Sequence, residues 1–446
     1  MADTGFTYSY EQLSELTSSV LDLARKAGAS DAEADVSEGF GQTISVRLGE
    51  VETIEYNRDK GLNVTVYFGQ RRGHASTSDL TLNALRETVA AACAIAKHTA
   101  VDDCAGLAEA GLLAHDWPDL DLYHPWRITV EEATELARQC ERAALDIDPA
   151  LSNSEGAGVS SVESQFVYGN THGFLGGYPS SRHDLSCAVI AESPAGMQRD
   201  YWYDSSRNPD SLSDVHEIGR KAGQRTIRRL NARRLKTIRV PVLFEAPVAC
   251  GLIGHLVGAA SGSALYRRSS FLLDGLGDKI FPDWMVINED PYLLQGQASA
   301  PFDNEGVKTI PRRFIDRGIL AGYFLGSYSA RKLGMQTTGN AGGNHNLIVE
   351  STGQSFDELV SQMGRGLLVT ELLGHGINMV TGDYSRGAAG FWVENGKICY
   401  PVEEITIAGN LKEMFLHIGA VATDRHVGGS RQCGSILIDE MMVAGS

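Results

Sequence analysis

Two runs of strict alternation near the front, TISVRLGEVETIEYN (residues 43–57) and GLNVTVYFGQRRGHAS (61–76), limit the fold of this chain more than any other feature. Alternation sends successive side chains to opposite faces of a strand, so each run needs a neighbour at its edge and a cover over its apolar face. The flanking sequence supplies that cover. Leu13, Leu16, Val20, Leu23 and Ala24 form a helical stripe closed by Gly28, and residues 80–98 carry a second amphipathic helix. With a turn at Gly49-Glu50, the spacing predicts an antiparallel meander with two helices, a small α+β domain over residues 1–112.

The pattern then recurs in other words rather than as a tandem repeat. A proline- and aspartate-rich connector (116–126) leads to a helix over 129–145, strands within 164–192 joined at Asn170-Thr171-His172-Gly173, a strand at 200–203 and a helix over 212–230. These make a second α+β unit, residues 113–235. From 236 to 446 glycine and strand signals dominate: VPVLFE (240–245) before a helix, a capped helix at 355–366, a hairpin at 391–402 turning on Asn395-Gly396, and a last strand within 435–445. The expected fold class is α+β, with a sandwich-like N-terminal region of two small subdomains followed by a larger, strand-rich C-terminal domain. A chain of 446 residues is too long for one core, which agrees with such a division.

Charge and cysteine narrow the function. The formal net charge of −17 opposes polyanion binding except through one basic run, residues 220–239, with nine Lys or Arg and no acid. Its spacing around a helix end reads as a solvated helix tail and linker, so no nucleic-acid partner is expected. Seven scattered cysteines with no C-x-x-C pair argue for reduced thiols rather than a disulfide frame. The acidic, amphipathic first thirty residues lack the apolar core of a signal peptide, and no run is apolar enough to span a membrane. A cytoplasmic location without membrane contact follows as an expectation.

The segment VACGLIGHLVGAASG (248–262) reads as a helix with one histidine and a strip of glycines. A helical zinc site needs a second ligand three or four residues from the first, because those positions share a face. From His255 those positions are Gly251, Gly258 and Ala259, none of which ligates. Gly254, Gly258 and Gly262, each costly inside a helix, instead predict close packing within the last domain around His255. A weaker metal set could be drawn from His345, Glu371, His375 and Asp383, since Glu371 and His375 lie four apart and His345 sits in a polar glycine loop. GNAGGNH and GDYSRGAAG match neither phosphate-binding glycine pattern and read better as open strands for an extended peptide. No G-x-S-x-G elbow supports a serine nucleophile.

HLVGAASGSALYRRSSFLLDGLG (255–277), PFDNEGVKT (301–309), SYSARKLGMQTTGNAGGNHN (327–346), TGDYSRGAAGFWVENGKICYPVEEITIAGNLKEM (381–414) and QCGSILIDEMMVAG (432–445) strongly resemble the TldD/TldE (PmbA) family, on its PmbA (TldE) branch. The resemblance implies a heteromeric cytosolic metallopeptidase that trims unfolded or modified peptides, including a microcin precursor and an antitoxin. In the TldD branch the equivalent helix carries H-E-x-x-x-H, and a distant cysteine completes the zinc site. One register puts Gly254, His255 and Ala259 at those three positions; the other puts His255, Leu256 and Ala260 there. Cys433 does not match the TldD-branch cysteine segment. The expectation is therefore a subunit with no catalytic residue, metal ligand or cofactor of its own, zinc lying in a TldD-like partner, with homodimerisation possible when the chain is isolated. An autonomous metallopeptidase with non-standard ligands and a gyrase- or DNA-associated regulator are the alternatives.

Overall fold

The computed structural model describes residues 5–445. In the first half, in chain order, α1 (Tyr10–Lys26) precedes the strands β1 (Asp31–Arg47), β2 (Glu50–Phe68) and β3 (Arg71–Thr77), and α2 (Leu82–His98) follows. After the connector come α3 (Val130–Leu145), β4 (Asn153–Asn170), β5 (Leu175–Ser193), β6 (Gly196–Ser206) and α4 (Val215–Arg228). All six strands form one antiparallel sheet in the order β3-β2-β1-β4-β5-β6, because β1 pairs with β4 along most of its length. A single sheet thus runs through both N-terminal units. Its strands are long: at about 3.4 Å per residue, the 17 residues of β1 span roughly 58 Å.

That length explains why four helices fit on one face. Ala32, Ala34 and Val36 pack under α1 and α2, whereas Ile44 and Val46, further along the same face of β1, pack under α3 and α4. β1 begins at residue 31, well before the alternation read from residue 43. In residues 31–42 the inward run Ala32, Ala34, Val36 and Glu38 holds one large apolar side chain, so the hydrophobic signal is faint; Glu38 is buried and accepts hydrogen bonds from the Thr7 and Tyr8 amides. The run at 61–76 is split by the Gly69-Gln70 turn between β2 and β3.

The second half is strand-rich. It runs β7 (Ile238–Phe244), α5 (Ala246–Ala259), α6 (Gly262–Tyr266), β8 (Ile287–Asp290), β9 (Arg312–Asp316), β10 (Ile319–Leu320), α7 (Ser327–Lys332) and β11 (Asn346–Val349). Then follow α8 (Phe356–Met363), β12 (Gly366–Leu373), β13 (Asp383–Glu394), β14 (Lys397–Asn410), α9 (Leu411–Leu416), β15 (Ile418–Val421), β16 (Arg431–Gln432) and β17 (Ile436–Ala444). One sheet has the order β14-β13-β12-β7-β17-β15, and an extra pairing of β14 with β17 closes five of its strands into a ring. The other has the order β10-β9-β8-β11-β16. The β13–β14 hairpin turns on Asn395 and Gly396, both at positive φ (52° and 69°), the geometry that favours an Asn-Gly pair. The largest core, holding Phe244, Leu252, Ile253, Leu256, Phe314 and Trp392, lies around α5.

Candidate functional site

α5 leaves β7 through Pro247 in its first turn, where a missing amide costs nothing. Ala249, Leu252, Ile253, Leu256 and Ala259, three or four apart, are buried and fix the helix in the core. The other side presents Gly251, Gly254, His255 and Gly258. The quoted segment is not one helix: Ala260 ends α5, and Ser261 caps α6 by accepting from the Ala264 amide.

The close packing expected along the glycines takes a different form at each. A Cβ on Gly262 would stand 2.3 Å from Ser329 Oγ, so α6 and α7 meet tightly there. At Gly254 the nearest group is the tip of the Arg431 guanidinium, 2.9 Å from such a Cβ, and at Gly258 it is the Met379 methyl at 3.4 Å. No backbone approaches either, because Arg431 of β16 and Met379, in the segment before β13, reach this face with side chains. The Arg431 carbonyl of β16 also accepts from Cys250 Sγ at 3.2 Å.

His255 meets Tyr384 edge to face, with ring centroids 6.0 Å apart. Tyr384 and Arg386, two residues apart on β13, share that face of the strand. Tyr384 is only 1 % exposed. Burial, with the nearby Arg386 and Arg431 guanidiniums, pulls His255 down to about 4, so its imidazole is neutral near pH 7. Burial pushes Tyr384 up to about 12 although Arg386 lies beside it. His255 Nε2, the Tyr384 hydroxyl and Arg386 Nε are buried without a hydrogen bond of good geometry. This donor set does not fit a zinc ion: one imidazole is present, and two guanidiniums would repel the metal.

The other singled-out residues lie apart. His345, nearly buried, has Nε2 at 2.9 Å from the Gly339 carbonyl, and its amide donates to Glu289. Glu371 pairs with Arg229 at 2.5 Å. His375 is exposed, and exposed Asp383 accepts from Thr381 and Asn410. Cys433 is fully buried beside Cys250. Among the described residues, no three His, Cys, Asp or Glu side chains gather as a metal site would require.

The basic run is a solvated tail only in part: Arg220, Arg233, Arg234, Lys236 and Arg239 are exposed, whereas Arg225 and Arg229 turn inward. Arg225 pairs with Glu245 at 2.7 Å and Asp200 at 3.4 Å, Arg229 with Asp200 and Glu371, and the two arginine side chains are only 14 % and 11 % exposed. Lys221 sits over the Trp202 ring at 3.5 Å, and Arg228 over Phe391. Through Arg225, Arg228 and Arg229 the end of α4 meets the C-terminal half. On the uncovered face of the long sheet, a cavity of about 540 Å³ lies between Glu33, Tyr67 and Tyr168 on one side and Glu305 and Tyr328 on the other. Both tyrosine hydroxyls donate to Glu33, at 3.1 and 2.8 Å, and burial raises the Glu33 carboxyl. Sequence reasoning missed Tyr384, Arg386 and Arg431; the signal was the YSR within the glycine-rich TGDYSRGAAG, where an arginine two residues from a tyrosine shares its strand face.

A long sheet covered by helices on one face, followed by a closed strand ring built around α5, makes up the scaffold. Successive family models match it as PmbA/TldA metallopeptidase domain 1 (residues 32–96), central domain (123–230) and C-terminal domain (237–445). The chain belongs to the TldD/PmbA family, on its PmbA branch. It is 51% identical over 434 residues to the metalloprotease PmbA of Escherichia coli O157:H7, covering 97% of this chain and 96% of that protein. It is 50% identical over 438 residues to the PmbA homolog of Haemophilus influenzae, covering 98% and 97%. A Bacteroides thetaiotaomicron crystal structure, described as a proposed modulator of DNA gyrase, superposes with a TM-score of 0.92 at 26% identity, covering 98% of this chain and all of that one. TldE of Thermococcus kodakarensis shares the fold, with a TM-score of 0.81 at 19% identity over 96% of this chain and all of its own.

Proposed function

We propose that this chain is the TldE-like subunit of a heteromeric TldD–TldE zinc metallopeptidase, in which the zinc and the catalytic groups belong to a TldD-like partner. The observation that carries the reading is the α5 face: it offers one imidazole, in neither register of the motif (Gly254, His255, Ala259 or His255, Leu256, Ala260) does it hold both histidines, and two arginines crowd the same space. A metal-bound water needs at least three converging ligands and a nearby base, and this face offers one imidazole. The work of this subunit is to complete a chamber and hold an unfolded or modified peptide, a microcin precursor or an antitoxin, in extended form along exposed strand edges. Among the described residues no helix is long and apolar enough to cross a membrane, which suits a cytoplasmic enzyme. Isolated chains pair with themselves in place of the partner.

The named relatives are metalloproteases, which keeps autonomous activity as the second reading. Reconstitution separates the two. The chain, a TldD-like protein from the same cell and their mixture are each incubated with an unfolded peptide and run through size exclusion. The proposal expects co-elution and cleavage that requires the partner; cleavage by this chain alone at the rate of the mixture would overturn it.

A further inference from the structure

The α5 face is arranged for something other than a cation. His255 Nε2, the Tyr384 hydroxyl and Arg386 Nε can all donate a hydrogen bond and all are buried; the Arg386 guanidinium lies against the Tyr384 oxygen, and neither the Tyr384 hydroxyl proton nor His255 Nε2 has a well-placed acceptor. Tyr384 is nine-tenths buried and more, so water in bulk does not satisfy it. The Arg431 guanidinium closes the set from β16, against the bare Cα of Gly254. Neutral imidazole leaves the local charge to two guanidiniums, a combination that calls for a ligand with only acceptors and a negative charge. A carboxylate has both. The site lies midway along α5, with helix amides already bonded, so it lacks the free backbone N–H groups of a phosphate cradle.

We infer that His255, Tyr384, Arg386 and Arg431 form a carboxylate-binding site on α5, and that its ligand is the C-terminal carboxylate of a peptide. The choice of a peptide as the source rests on the peptide-handling reading above; the anion preference rests on the donors alone. A side chain that fixes one end of the substrate would set which peptide bond lies at a fixed distance along the chain. In this view the lost metal site is a positioning site.

Titration calorimetry on the isolated full-length chain tests this with four probes: a tetra-alanine peptide with a free C-terminus, its C-terminal amide, an amidated peptide with one internal aspartate, and inorganic phosphate. The free acid should bind at least tenfold more tightly than the amide and than phosphate. Arg386→Gln should weaken the free acid at least tenfold and Tyr384→Phe, which keeps the ring, several-fold, with circular dichroism verifying the fold of each. Equal binding of the aspartate peptide and the free acid keeps a carboxylate site and moves its source to an acidic side chain. Equal binding of acid and amide, binding of phosphate alone, or wild-type affinity in a folded Tyr384→Phe chain overturns the inference. No partner is needed, so a chain that binds the acid yet never pairs refutes the heteromer and leaves the site standing, whereas a chain that pairs without binding does the reverse.

Discussion

Glu371→Gln is the sharpest probe of how the two halves hold together, because the same residue could otherwise be read as a metal ligand. Glu371 lies on β12 and pairs across the seam with Arg229, the C-cap of α4, at 2.5 Å, and more distantly with Arg199 of β6 at 4.0 Å. Removing one member of a buried pair costs about 3–5 kcal/mol because the remaining charge is stranded. Two facts reduce that figure here: the Glu371 side chain is 22 % exposed, and Arg229 keeps Asp200 at 3.7 Å. A loss of about 1–2 kcal/mol remains. Arg234→Gln serves as the control, since Arg234 and Glu404 are 60 % and 59 % exposed and such a pair contributes about 0.5 kcal/mol or less. Urea titration followed by fluorescence and by circular dichroism should show a lower first midpoint for Glu371→Gln and almost none for Arg234→Gln. Equal midpoints for the two variants, or a Glu371→Gln chain as stable as the parent, would refute the ion network as the clasp. Loss of bound zinc in that variant would restore the ligand reading.

Three further outcomes follow from local geometry. A Cβ on Gly219 would stand 2.0 Å from the Cys140 carbonyl, so Gly219→Ala must push α4 off α3 and should cost about 2 kcal/mol or more in thermal unfolding; an unchanged midpoint would mean the helices do not touch this way. Asp303 is pushed up to about 7 by burial and Glu305, so between its usual 3.8 and 7 the folded chain holds the extra proton and stability falls as pH rises, by up to about 4 kcal/mol. His255, lowered to about 4, acts oppositely between 4 and 6.5, so the test is the difference between parent and Asp303→Asn: the parent should lose stability relative to the variant from pH 4 to 7, and a flat difference would contradict the assignment. Finally, because Arg225 and Arg229 are already neutralised inside the protein, duplex DNA should not be retained on a filter at moderate salt; retention that falls steeply with salt would revive a nucleic-acid role.

How much of this was legible in the sequence depended on the strength of local signals. The Asn395-Gly396 and Asn170–Gly173 turns, the capped helix at Ser355 and the last strand lie where turn chemistry and period placed them. β1 was half-read because its first inward positions, Ala32, Ala34, Val36 and Glu38, hold only one large apolar side chain and so carry little hydrophobic signal. The union of β1 with β4 across more than a hundred residues has no local mark at all. At the site, the absence of ligands around His255 could be counted, but what fills the space could not: Arg386 and Arg431 come from strands 131 and 176 residues further along the chain. The basic run was half-read for a similar reason: most of it is exposed, but Asp200, Glu245 and Glu371, which pair with Arg225 and Arg229, are brought in by three other elements.

The central claim, that this polypeptide does not by itself hold a hydrolytic metal, is met most directly by zinc analysis of the isolated chain after dialysis, alongside its peptidase activity. The account predicts well under one zinc per chain with no cleavage, and one zinc per heterodimer, with cleavage, once the TldD-like partner is added. One zinc per isolated chain that disappears together with peptidase activity on chelation would contradict it.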